Sequence, residues 1–199
     1  ILSRLRQNWT VPANILSRAA RVFGPIQPGN VDAVRAVPSV APPSKRIGIV
    51  YYGPDPMIDR GIEGYKAGLA GQGYVEGSNL ILEIRHAQSE LSNIPQLIRQ
   101  MDEEGLDVLT PMTTPCLTGA LAAARKTPVV FTLVYDPVAA GAGRDFSNHL
   151  PHVTGIGSFP PLADTMDFIV RQWPDLQTIG TIYNPSEANS SKAVAMGEE

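Results

Sequence analysis

Residues 106–137 read LDVLTPMTTPCLTGALAAARKTPVVFTLVYDP, and the reading of this stretch decides the fold. Leu106-Asp107-Val108-Leu109-Thr110 is a short β-rich run and reads as a strand. Thr114 stands where a helix cap belongs, with Pro115 at the first helical position, where a missing N–H costs nothing. Pro128-Val129-Val130-Phe131-Thr132-Leu133-Val134 is the next strand, broken by Asp136-Pro137. A strand, a helix and a second strand in direct succession form a crossover between parallel neighbours.

Toward the N-terminus the pattern repeats. Asn93 is placed to cap a helix in which Ile94, Leu97, Ile98 and Met101 fall at helical spacing before Gly105 stops it. Leu80, Leu82 and Ile84 alternate along a strand whose Glu83 and Arg85 point outward. Asp59 is placed to cap a helix carrying Ile62, Tyr65 and Leu69, closed by Gly71 and Gly73. Ile47-Gly48-Ile49-Val50-Tyr51-Tyr52 is a buried strand ended by Gly53-Pro54. Three β–α units followed by a fourth strand imply an α/β fold, a parallel sheet with helices on both faces. Ligands of such sheets bind beyond the carboxyl ends of the strands, so the loops of interest are Gly53–Asp59, Met112–Pro115 and Tyr135–Gly141.

Residues 46–157 read as one lobe, with Val153-Thr154-Gly155-Ile156-Gly157-Ser158 as a crossover segment. Residues 158–199 read as the opening of a second α/β lobe, incomplete within this sequence. They hold a helix with Met166, Ile169, Val170 and Trp173 on one stripe, a strand Thr178–Tyr183, and a helix starting around Ser186–Ser190. Residues 1–45 are an N-terminal segment and a proline-rich linker. Ile15, Leu16, Ala19, Ala20 and Phe23 mark a short amphipathic stretch there, read as a docking helix or partly ordered tail, with a membrane-surface helix as the second reading.

The net charge of −3 supplies no electrostatic reason to expect nucleic acid or an anionic membrane as partner. The single cysteine, Cys116, permits no intrachain disulfide and reads as a small apolar helix residue. His86, His149 and His152 lack metal-ligand spacing, so no metal and no cofactor are expected. No nucleophile elbow, phosphate-binding loop or zinc-protease motif is present, and Glu103-Glu104 reads as a solvated pair. Enzymatic activity therefore has no positive support. Small polar residues at helix starts recur instead. Thr113-Thr114-Pro115 offers two hydroxyls and a helix N-terminus able to hold a carboxylate, although capping alone explains Thr114. Asp136 projects at the rim, where it can receive an ammonium group or merely form an Asp-Pro turn. Residues 184–190 carry more polar side chains than capping requires.

Five motifs in register resemble the ABC transporter substrate-binding family that includes tryptophan- and tyrosine-binding receptors. They are Gly73-Tyr74-Val75-Glu76-Gly77; Thr114-Pro115; Phe131-Thr132 with Asp136-Pro137-Val138; Val153-Thr154-Gly155; and Tyr183-Asn184-Pro185 with Glu187-Ala188-Asn189-Ser190. The match runs from about Arg46 to the C-terminus. The resemblance implies a periplasmic-binding-protein-like (type I) fold of two α/β lobes joined by a hinge and closing over ligand. It places Thr114 and Asp136 at the pocket on the first lobe, with Ser186, Glu187, Asn189 and Ser190 on the second. Where the family has a small residue after Thr-Pro, Cys116-Leu117 follows here, and Leu117 stands where it could narrow the pocket.

The implied function is that of an extracytoplasmic solute-binding protein of an ABC importer. It would capture a small molecule, an amino acid with aromatic ones among the candidates, and deliver it to an ABC permease in the membrane. The implied location is periplasmic or extracellular, with a membrane anchor allowed. The alternative is a ligand-sensing ectodomain of a signalling protein with the same fold; a flavodoxin-like enzyme domain is a third reading. With one lobe nearly whole and the other only begun, weak or absent ligand binding is expected of these 199 residues alone.

Overall fold

Ile49 and Val50 are wholly buried on opposite sides of one strand, because that strand lies inside a sheet covered on both faces. The computed structural model describes residues 21–23 and 43–198. Its strands are β1 (Arg21–Phe23), β2 (Lys45–Tyr51), β3 (Leu80–His86), β4 (Val108–Pro111), β5 (Val129–Val134) and β6 (Val153–Gly157). Its helices are α1 (Pro56–Gly71), α2 (Ile94–Glu103), α3 (Thr114–Ala123), α4 (Leu162–Gln172) and α5 (Ala188–Gly197). The sheet order is β1-β6-β5-β4-β2-β3, and β2 through β6 form a parallel five-strand sheet, as the alternation of strands and helices implies.

From β2 the chain moves outward to β3, then returns to β2's other side and proceeds through β4, β5 and β6. That reversal opens a crevice beyond the carboxyl ends of β2 and β4, where doubly wound sheets bind ligands. On one face, Ile98 and Met101 of α2 and Leu117 and Ala120 of α3 pack with Val50, Leu109, Val129 and Phe131. On the other, Ile58 of α1 packs with Ile49 and Met112, flanked by Ile62, Tyr65 and Leu133. Asp102, at the end of α2, is buried, and its carboxylate accepts the amide N–H groups of Arg125 (2.8 Å), Lys126 and Thr127 (2.9 Å), which anchors the turn between α3 and β5.

Several local expectations are corrected. Val153–Gly157, expected only as a crossover segment, forms a fifth parallel strand: Gly155 lies so close to β5 that a Cβ there would stand 2.3 Å from the Phe131 carbonyl oxygen. Arg21–Phe23, the end of the expected helix, pairs antiparallel with β6; the rest of that stretch lies outside the described residues. Thr178–Tyr183 forms no strand, since no neighbouring strand among the described residues offers its backbone partners. Asp55, not Asp59, caps α1, accepting the Met57 N–H at 2.6 Å. Asn93 closes a 3-10 turn ahead of α2 and makes no capping bond; its amide donates to the Ala87 carbonyl at 3.2 Å. Strict inward alternation fails on β3, an edge strand. Ile84 is 37% exposed, whereas Glu83 and Arg85 are half-buried in an ion-pair network with Arg46 and Glu104.

Candidate functional site

Among the described residues, four non-glycine residues have positive φ, and all lie at the carboxyl rim of the sheet: Gln88 and Ser89 after β3, Thr113 after β4 and Leu133 near the end of β5. Backbone strain of this kind collects where a structure holds a site in place. Thr113 has φ 83° and ψ 156°, outside the left-handed helical well. It occupies the N-cap of α3, and its hydroxyl oxygen is buried beside the Cys116 thiol. Thr114, expected as the cap, is instead the first helical residue. Its side chain is buried and its hydroxyl accepts the Tyr135 N–H at 3.4 Å.

Beside this helix start lies a cavity of about 310 Å³, within the range of small-molecule sites. One wall is the stripe of α3 formed by Thr114, Pro115, Thr118, Gly119 and Ala122. A second is Leu91, Ile94 and Pro95, where α2 begins. The third is the turn Ser186, Glu187, Ala188 and Asn189 leading into α5. Two of these walls are mostly apolar, and the third supplies polar groups. Asn184 spends its side chain locally, accepting the Ser186 N–H and donating to Glu187, each at 3.0 Å. The Asn189 side-chain oxygen is buried with no partner.

Four of the six expected site residues, Thr114, Ser186, Glu187 and Asn189, therefore line one cavity. Asp136 and Ser190 do not line it. Asp136 lies one residue beyond Tyr135, one of its carboxylate oxygens accepts the Ala139 N–H at 2.9 Å, and the other receives the ammonium of Lys192. Burial opposes ionisation of Asp136, but the Lys192 ammonium and the amides of Ala139 and Val138 outweigh it and hold the carboxyl below its usual range. Ser190 is half-buried in the first turn of α5.

Leu117 does not narrow the cavity: it is fully buried against the sheet, and Gly119 and Ala122 face the opening instead. Sequence reasoning missed Lys192, although its position three residues beyond Asn189 places both on one helix face. It also missed the apolar wall of Leu91, Ile94 and Pro95, which helical periodicity alone assigns to the core.

Chemically, such an arrangement can enclose a small molecule and meet both polar and apolar parts of it. Burial pushes the Cys116 thiol up to about 12, so it is no nucleophile at neutral pH. Among the described residues, no group of three or more His, Cys, Asp and Glu side chains could hold a metal ion, and no helix is long and apolar enough to cross a membrane.

Residues 39–199 match the family model described as "ABC transporter substrate binding protein". The chain is 27% identical over 146 residues to the tyrosine-binding protein of Clostridioides difficile (strain R20291), covering 73% of this chain and 42% of that one. Among solved structures it is similar to a conserved domain protein from Vibrio cholerae, with 29% identity, a TM-score of 0.73 and coverage of 78% and 52% of the two chains. It is also similar to an ABC domain in complex with L-Trp from Streptococcus pneumonia, with 25% identity, a TM-score of 0.73 and coverage of 77% and 52%. The chain thus spans about half the length of these relatives. With a match over most of its length and a parallel sheet shared with these structures, the chain belongs to the ABC transporter substrate-binding protein family.

Proposed function

We propose that the protein is the extracytoplasmic solute-binding component of an ABC importer. It captures a small molecule between two lobes, an amino acid with aromatic ones among the candidates, and hands it to a membrane permease from the periplasmic or extracellular side. Residues 46–157 are the first lobe and residues 158–199 begin the second. The observation that carries this reading is the cavity shared by the first turns of α3 and the 186–189 turn, stretches separated in sequence by β5, β6 and α4. A ligand held there touches both lobes, so binding and closure are one event. Thr114, Ser186, Glu187 and Asn189 contact the ligand from the cavity walls, and Asp136 and Ser190, which lie outside that lining, reach it on lobe closure. The amino-acid assignment is supported by the names of two relatives, one tyrosine-binding and one solved with L-Trp. It is also supported by charge: a helix N-terminus favours a carboxylate and Asp136 favours an ammonium.

A thermal-shift screen of the twenty amino acids on the full-length gene product tests this. A ligand at 100 times its dissociation constant stabilises by about 2.7 kcal/mol, enough to raise Tm by several degrees. Absence of stabilisation by all twenty rules the reading out.

A further inference from the structure

We propose that Lys192 and Asp136 are the two halves of a zwitterion clamp, in which Lys192 takes the ligand's carboxylate while Asp136 takes its ammonium; this rests on the amino-acid reading above. The structure pairs them directly, with the Lys192 ammonium on one Asp136 carboxylate oxygen. They come from different elements, Asp136 from the loop after β5 and Lys192 from α5. The Asp136 side chain is 19% exposed and tied to the Ala139 N–H, so it is the fixed member. The Lys192 side chain is 41% exposed on a flexible four-carbon stem, so it is the member that can move.

The pair does not line the cavity itself but adjoins its walls through Asn189 and Thr114. Asn189, one turn before Lys192 on the same face of α5, lines the cavity, and its side-chain oxygen is buried without a partner. On the facing wall Thr114 lines the cavity and accepts the N–H of Tyr135, the residue before Asp136. The orphaned Asn189 oxygen needs a donor, which a ligand ammonium supplies. The remainder of the cavity, at Leu91, Ile94, Pro95 and Ala122, suits an apolar side chain.

An ion pair whose lysine stays 41% exposed contributes modestly by itself, so parting it costs little when the ligand re-pairs Asp136. An amino acid entering between the two partners restores a cation to Asp136 and supplies an anion to Lys192, so that one ion pair becomes two. An amine without a carboxylate leaves Lys192 unpaired, and a carboxylate without an amine leaves Asp136 unpaired. Selection for both charges follows from the pair itself.

The test uses calorimetry on the full-length gene product. The probes are the amino acid of the twenty that binds most tightly and its primary amide, which keeps the ammonium and loses the carboxylate charge. The unaltered protein is expected to prefer the acid to the amide at least tenfold, about 1.4 kcal/mol. Lys192→Met should lose that preference by binding the acid more weakly, and Lys192→Arg should keep it, with far-UV circular dichroism confirming that each variant is folded. A Lys192→Met protein that still prefers the acid tenfold overturns the clamp. So does one that binds the acid more tightly, because Lys192 would then be only a competitor for Asp136. Failure of all twenty amino acids to bind the unaltered protein removes the parent reading and the clamp together, an outcome distinct from an unchanged preference.

Discussion

Thr113 holds a backbone conformation that side-chain-bearing residues almost never adopt, at a cost of order 1–3 kcal/mol, and it does so one residue before Thr114 of the cavity wall. A Thr-Thr-Pro string announces a helix start, but which threonine caps it depends on how β4 delivers the chain, and that is a tertiary matter. The same limit applies to Leu117: it follows Pro115 closely enough to suggest a pocket wall, yet the helical rotation turns it onto the sheet. Lys192 was hidden for another reason, since a lysine on a helix is ordinarily solvated, and only the approach of α5 to Asp136 singles it out. Asp102 carries the clearest prediction at this scale. Burial opposes its ionisation, but the amides of Arg125, Thr127 and Lys126 outweigh that and hold its carboxyl below the usual range. Asp102→Asn turns a donor toward those amides and should lower the unfolding free energy by about 1–3 kcal/mol at neutral pH, measured by denaturant titration. A depressed folded-state value means the contribution is complete above the unfolded value of about 3.9 and fades as pH falls through the lower folded value. The gap between the two proteins should therefore shrink only below about pH 4, and a gap that closes between pH 7 and 5 contradicts the assignment.

Elements with strong local patterning are where expectation and structure agree best. The stripe of Ile94, Leu97, Ile98 and Met101 forms α2, and Ile94, Ile98 and Met101 are buried as helical spacing demands. β6 escaped because two glycines in five residues weaken a strand signal, although one of them, Gly155, is what permits close approach to β5. Thr178–Tyr183 misled in the opposite sense: its composition suits a strand, but composition supplies no hydrogen-bonding neighbour. The α2–α3 contact can be tested through Gly119, where an added Cβ would stand 2.3 Å from the stiff branch carbon Cγ2 of Ile94. Gly to Ala in a helix interior is intrinsically favourable by about 1 kcal/mol, while overpacking costs about 1–3 kcal/mol. The clash is expected to win, so Gly119→Ala should lower stability by about 1 kcal/mol. Ile94→Ala should then cost less in the Gly119→Ala background than alone, and strict additivity of the two in denaturant melts contradicts the contact.

At the scale of the whole molecule, the alternation of strands and helices from Ile47 to Val134 was enough to read a parallel sheet covered on both faces, and with it the rim on which a ligand site belongs. Where α5 sits was not legible, because its contacts with α3 and Asp136 join segments far apart in the chain. That placement assembles the cavity, bringing Asn189 and its neighbours to the first turns of α3. It also leaves two residues of the α4 stripe uncovered among the described residues, Val170 56% and Trp173 58% exposed, while Met166 and Ile169 are half-buried. A crystal structure of the full-length gene product grown with its best-binding amino acid addresses the central claim most directly. The ligand is expected between the Thr114 end of α3 and residues 186–192, touching both. A ligand seated elsewhere, or contacting only one of these two segments, contradicts it.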